Sequence, residues 1–273
     1  MRAWAIALVV AGLVGCSPNG RELDSPEVPT FDGAGVVQKA ALTAHGERIS
    51  WVLGCHGCHG KDLLGQAWDD DPAGYGTLWA ANLTRSVPTM SDSQFATLMR
   101  TGKHPTRTDM WSMPSELFQH LSAKDMAALI TYLRSIAPAG VSSPPTVLGP
   151  KSIAEIKAGS IKSAAEMVTD PSYRLPPDLG PATALGRQIV SMTCAECHGG
   201  QLTGQDKTPD LVAATAYSRP DFEVLMTKGI PIGDRKLDLM AKVAKSRFSR
   251  LTPNERDAIY AYLMARAEQT QQD

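Results

Sequence analysis

"GCHGCHGK", residues 54–61, decides how this chain is read. Two cysteines stand three apart, Cys55 and Cys58, and His59 follows the second directly. Beyond Cys16 the chain has only two other cysteines, and they repeat the arrangement. "CAECH", residues 194–198, supplies Cys194, Cys197 and His198. Both pentapeptides read Cys-x-x-Cys-His.

The likeness spreads outward from there. "GKDLLGQ" (60–66) parallels "GGQLTGQ" (199–205), "SDSQFATLMRTG" (91–102) parallels "SRPDFEVLMTKG" (218–229), and "FQHLSAKDMAALITYL" (118–133) parallels "FSRLTPNERDAIYAYL" (248–263). Three matches in one order around one pentapeptide indicate an internal duplication of a unit of roughly 100 residues. Each copy predicts a helix entering the cysteine pair, over 44–53 and 183–193. A long irregular segment with one short helix follows, then a capped closing helix. In the first copy Ser122 is the N-cap, with Asp125 three residues on. Met126, Leu129, Ile130 and Leu133 then follow helical spacing. In the second, Thr252 caps, Pro253 takes the first helical position and Glu255 stands at the third. No stretch sustains period-2 alternation, so the expected fold class is all-α. Residues 139–182 between the copies are rich in proline, glycine and serine and read as a linker carrying a short helix.

Three chemistries use closely spaced cysteines. Structural zinc brings Cys-x-x-Cys pairs ~12–20 residues apart, whereas here Cys58 and Cys194 are 136 residues apart. A redox dithiol sits on a strand-to-helix junction in a βαβ setting and does not require the histidine. Haem attachment requires all three residues. Two thiols add across the two vinyl groups, and the next residue offers its imidazole as the proximal iron ligand. On this reading Cys55, Cys58 and His59 hold one haem, and Cys194, Cys197 and His198 hold a second.

The chain thus resembles the dihaem cytochrome c family, in which two class I cytochrome c domains lie in tandem. The resemblance covers nearly all of 41–265. It includes both attachment motifs, the "NLT" of Asn82–Thr84 and the closing helix ending in Tyr-Leu. It implies first and last helices crossing beside each haem, with Gly46 and Gly186, Tyr132 and Tyr262 at the crossings. It implies two covalently bound haem c groups as cofactors and redox partner proteins as donor and acceptor.

The sixth iron ligand sets the chemistry, since methionine there raises the potential and suits electron transfer. Met240 is the only methionine between Gly229 and the last helix. Met226 has a twin in Met99 and reads as core. In the first copy both Met110 and Met113 are available. Counting from Gly102 and Gly229 matches Met113 to Met240, whereas counting back from Leu121 and Leu251 matches Met110. The family's Met-Pro pattern selects Met113, before Pro114. The spare histidines, His45, His104 and His120, all lie in the first copy. His104 and His120 read as surface residues and His56 as solvent-facing.

The N-terminus, "MRAWAIALVVAGLVGC", has a positive start and an apolar run too short to span a bilayer. It ends in "LVGC", which resembles the lipobox of bacterial lipoproteins and implies cleavage before Cys16 and lipidation of its thiol. Ser17 in the next place points, by analogy with sorting in Gram-negative bacteria, to the outer membrane. The expected order is a signal peptide (1–15), a tether (16–40), a first cytochrome c domain (41–138), the linker, a second domain (183–267) and a tail (268–273). Hydrophobic residues are 43% of the chain, and the net charge is −1, which gives no basis for nucleic-acid binding. The expected function is an electron carrier on the periplasmic side, lipid-anchored and not an enzyme. A dihaem peroxidase-like enzyme, or the cytochrome subunit of an alcohol or aldehyde dehydrogenase, is the alternative.

Overall fold

The computed structural model describes residues 28–108 and 110–270. Cys16 and the signal segment lie outside them. Each copy opens with a helix, α1 (Lys39–Val52) in the first, running into the single turn α2 (Cys55–Cys58). Strands β1 (Gln66–Asp71) and β2 (Gly76–Ala80) follow, then α3 (Leu83–Ser86), α4 (Asp92–Thr101), α5 (Ser115–Phe118) and α6 (Ala123–Ser135). The intervening segment contributes β3 (Val147–Leu148), α7 (Pro150–Lys157) and α8 (Ala164–Thr169). The second copy comprises α9 (Ala184–Thr193), α10 (Ala195–His198), α11 (Arg219–Lys228), α12 (Asp238–Ser246) and α13 (Pro253–Thr270).

The duplication holds at the level of single bonds. Helix α4 is capped by Ser91 and α11 by Ser218, and both end on left-handed glycines, Gly102 and Gly229. The Gly65 amide donates to the His59 carbonyl and that of Gly204 to His198, at 2.8 and 2.9 Å. The first and last helices of each copy cross at a glycine. A Cβ on Gly46 would stand 2.0 Å from the Ala128 carbonyl oxygen, and one on Gly186 would stand 2.1 Å from that of Ala258. Tyr132 and Tyr262 flank these crossings, each with its Cβ 2.7 Å from that added atom. Only a residue without a side chain lets the two backbones approach so closely.

The helical class expected from the sequence is what the chain adopts, with one small addition. Strands β1, β2 and β3 form an antiparallel sheet in that order. Burial alternates along the five residues of β2, and a bulge between Ala67 and Asp69 breaks the register of β1. Residues 139–182, read as a linker, are a strap: its first part packs on the first copy, and Arg174, Pro176 and Pro177 meet the second. The Asn82 amide donates to the carbonyls of Ala139 and Val141, Ser143 donates to that of Ala80, and the Ala164 amide donates to that of Met110. Nor is the stretch up to residue 40 wholly a tether, because Phe31 is 2% exposed and α1 begins at Lys39.

The copies meet through a near-two-fold arrangement. Arg48 of α1 donates to the Arg250 carbonyl just before α13 (3.3 Å), and Gln188 of α9 donates to the His120 carbonyl just before α6 (2.5 Å). Phe31 and Asp32 clasp both closing helices. The Phe31 amide donates to Asp125 Oδ2 and the Asp32 amide to Glu255 Oε1. Both acceptors are the capping carboxylates of those helices, so one short segment fixes α6 and α13 together.

Candidate functional site

In each copy the cysteine pair lies on one helical turn because the chain leaves the first helix there. Gly54, at φ +85°, turns α1 into α2, and α9 passes into α10 through Cys194. All four thiols are free. Burial pushes the Cys55 thiol up to about 12 and the Cys194 thiol to about 11. Burial raises Cys58 and Cys197 as well. A redox dithiol needs a lowered thiol pKa to form its thiolate, so this environment speaks against that chemistry. It suits thiols that are consumed once in forming permanent bonds.

The histidines are set identically. His59 Nδ1 is 2.8 Å from the Ala81 carbonyl oxygen, and His198 Nδ1 is 2.8 Å from that of Pro209. A carbonyl only accepts, so Nδ1 carries the proton and Nε2 keeps its lone pair for a metal. This is how a second partner orients a ligating imidazole. Burial also lowers the His59 pKa, which favours the neutral ring.

Beside each motif opens an apolar cavity. The first, about 330 Å³, is lined by Cys55 and His59 on one side and by Met110 and Met113 among others. The second, about 300 Å³, is lined by Cys194, Cys197, His198 and Met240. Both volumes are at the lower end for cofactor pockets. Their walls include core side chains such as Leu98, Leu129 and Leu133, or Leu225, Ile259 and Leu263. Thiols, imidazole and thioether on one apolar cavity match what a covalently held haem needs, and the residues fit that group in both copies. Cys58 alone of the expected attachment residues is not in its cavity wall.

Other expectations are corrected. His56 is 8% exposed rather than solvent-facing. Its ring stacks on Trp51 at 3.7 Å, and Nδ1 donates to the Lys61 carbonyl. His104 lines the first cavity instead of lying clear of it, whereas His120 is exposed as expected. His45 is buried against Asp125 Oδ1 at 2.8 Å, within the cap of α6. Reasoning from sequence missed the strap's part in the site. Ser142, Ser143 and Pro144 wall the first cavity, brought there by Asn82 and by β3 pairing. The asparagine of "NLT" was the one available signal.

A helical unit that surrounds an apolar cavity with two thiols, an oriented imidazole and a thioether defines a c-type haem protein whose role is electron transfer. The comparisons agree. The cytochrome c family model matches residues 43–137 and again 183–267. A protein of Cereibacter sphaeroides named diheme cytochrome c-type is 26% identical over 253 residues, covering 81% of this chain and 84% of that one. This chain belongs to the cytochrome c family. It is an electron-transfer cytochrome with covalently bound haem c.

Proposed function

We propose that the chain is a dihaem electron carrier of the periplasmic side, held to the membrane by lipid on Cys16, with the outer membrane as its site. Cys55 and Cys58 hold one haem c and Cys194 and Cys197 the other. His59 and His198 are the proximal iron ligands, and Met113 and Met240 are the distal ones. Each haem, when bound, supplies one ferrous–ferric couple. The protein's part is to hold the proton on Nδ1 of each histidine, to keep water from the cavity and to place on its wall the imidazole and thioether that would hold the iron. Electrons enter from one redox partner protein and leave to another.

The observation that carries this reading is the repetition. Both cavities pair a carbonyl-locked histidine with a half-buried methionine in their walls. A methionine available in each cavity favours closed, six-coordinate iron over the open position that peroxide chemistry requires. For the first copy, Pro114 behind Met113 stiffens the loop and favours Met113 over Met110. The test is the mass of the mature protein followed by near-infrared and optical redox titration. Two haems are expected, both low-spin with histidine–methionine ligation. Met113→Ala and Met240→Ala each remove one sulfur-to-iron band, and Met110→Ala removes none. Tight carbon monoxide binding by the reduced native protein would refute the closed-site reading.

A further inference from the structure

A cation, Arg247, lies between the two attachment turns. Arg247, at the end of α12, belongs to the second copy but reaches the first. Its Nε donates to the Val52 carbonyl at 3.0 Å, three residues before Cys55. Its guanidinium lies flat on Gly54, where an added Cβ would meet Cζ at 2.8 Å and Nη1 at 2.9 Å. The other side of the same group turns to its own copy. Nη1 donates to Glu196 Oε2 at 2.6 Å, and Glu196 stands between Cys194 and Cys197. The Arg247 side chain is 12% exposed and also walls the second cavity. Its Nη2 is buried with no hydrogen-bond partner among the described residues. Its charge acts on all four attachment cysteines, Cys55, Cys58, Cys194 and Cys197.

The duplication does not require this contact. Aligning Leu121 with Leu251 places Leu117 at the position of Arg247, and aligning Cys58 with Cys197 places Gly57 at the position of Glu196. The near-two-fold seam therefore carries an ion pair on one side and a buried leucine with a glycine on the other. Nothing in the helical packing alone asks for a cation there. Taking a guanidinium out of water is costly unless it is paired, and here two of its five N–H donors serve the two turns.

We propose that Arg247, with Glu196, is a positioning residue shared by both haem sites: it joins the two attachment turns and its charge sets both reduction potentials together. The proposal rests on the dihaem reading above. A ferrous haem carries one positive charge fewer than a ferric one, so a nearby cation favours reduction and a nearby anion opposes it. Removing Arg247 leaves Glu196 uncompensated and lowers both potentials. Removing the charge of Glu196 leaves Arg247 uncompensated and raises both. A purely structural contact predicts no such opposition of sign.

The experiment uses the mature, haem-loaded protein. Mass is measured first, and then each variant is titrated potentiometrically. In Arg247→Met both midpoints fall, each by about a tenfold change in the reduced-to-oxidised ratio, which for one electron is 59 mV. In Glu196→Gln both midpoints rise. In Arg247→Lys, which keeps the charge, both stay nearer the native values than in Arg247→Met. The proposal is overturned if the Arg247→Met protein carries two haems with both midpoints unmoved, if only one midpoint moves, or if Glu196→Gln shifts in the same direction as Arg247→Met. If Arg247→Met yields no loaded protein, Glu196→Gln decides alone: both midpoints up supports the proposal, and one or none overturns it. Fewer than two haems in the native protein overturns the dihaem reading itself, and the mass reveals this before any titration.

Discussion

Replacing Glu255 by alanine is the sharpest test of how the two copies are held together. Its side chain is fully buried, and four bonds converge on its carboxylate. Arg48 donates through Nη1 at 2.7 Å and Nη2 at 3.0 Å, the Asp32 amide at 2.9 Å and the Thr252 amide at 2.8 Å. The last bond belongs to the capping box of α13, whose loss costs about 1 kcal/mol. The others cross between the N-terminal clasp, the first copy and the second. Removing one partner of a buried pair costs about 3–5 kcal/mol, because the other charge is left without compensation. The Arg48 side chain is 21% exposed, so water recovers part of that and the lower end is expected, about 3 kcal/mol for the whole substitution. The assay is guanidinium unfolding of the loaded protein, followed at the haem absorbance of both copies. Arg48→Met should cost a similar amount. The double variant should cost clearly less than the two singles together, since each already removes the same pair. A loss below about 1 kcal/mol for Glu255→Ala, or strict additivity in the cycle, would refute the reasoning.

Three further outcomes are expected. Gly186→Ala, whose new Cβ meets the Ala258 carbonyl at 2.1 Å, should cost about 1–3 kcal/mol or more, measured by thermal unfolding, and Gly46→Ala should match it. Phe31→Ala should cost about 3–5 kcal/mol because the ring is in the core, whereas a residue in a mere tether would cost nothing. Tyr262 gives a pH signature, since burial raises its phenol to about 12 against an ordinary ~10. A folded-state value above the unfolded one means that the contribution is complete below pH ~10 and is lost as pH rises through about 12. Tyr262→Phe also loses the bond to the Pro177 carbonyl, so it should be less stable than native at pH 9 by about 1 kcal/mol. That gap should close by pH 12, and a gap constant across the range would count against the assignment.

What could be read from the chain was local or repeated. Ser122 and Thr252 announce their helices because a cap is a matter of three or four adjacent residues. Gly46 and Gly186 announce the helix crossing because each stands on the helix before its cysteine pair and has a tyrosine, Tyr132 or Tyr262, on the closing helix of the same copy. The two Cys-x-x-Cys-His motifs stand out because covalent attachment would fix such a spacing. What escaped depends on distance along the chain. Arg48 and Glu255 are 207 residues apart, and nothing near either one signals the other. His56 looked like a loop residue until its stacking on Trp51 was visible, and that contact needs the turn at Gly54. The sheet was hidden because the acidic end of β1 and its bulge spoil the alternation, and because β3 is only two residues long.

The seam joins the two halves of the duplicated chain by bonds that run in both directions. Arg48 reaching the Arg250 carbonyl and Gln188 reaching the His120 carbonyl are the same contact made twice, in opposite directions. Such reciprocity is the property of a two-fold interface between identical partners, in which each surface patch meets itself. Within one chain the two halves need no longer remain identical, and here they differ. Arg48 found Glu255 on its side, whereas Gln188 meets the His120 carbonyl and Met192 Sδ and no carboxylate. Arg247 and Glu196 stand where the other half has Leu117 and Gly57. Symmetric packing thus sets where the two cavities lie, and the ionic pair that breaks the symmetry belongs to neither alone, because Arg247 reaches the Val52 carbonyl of one copy and Glu196 of the other.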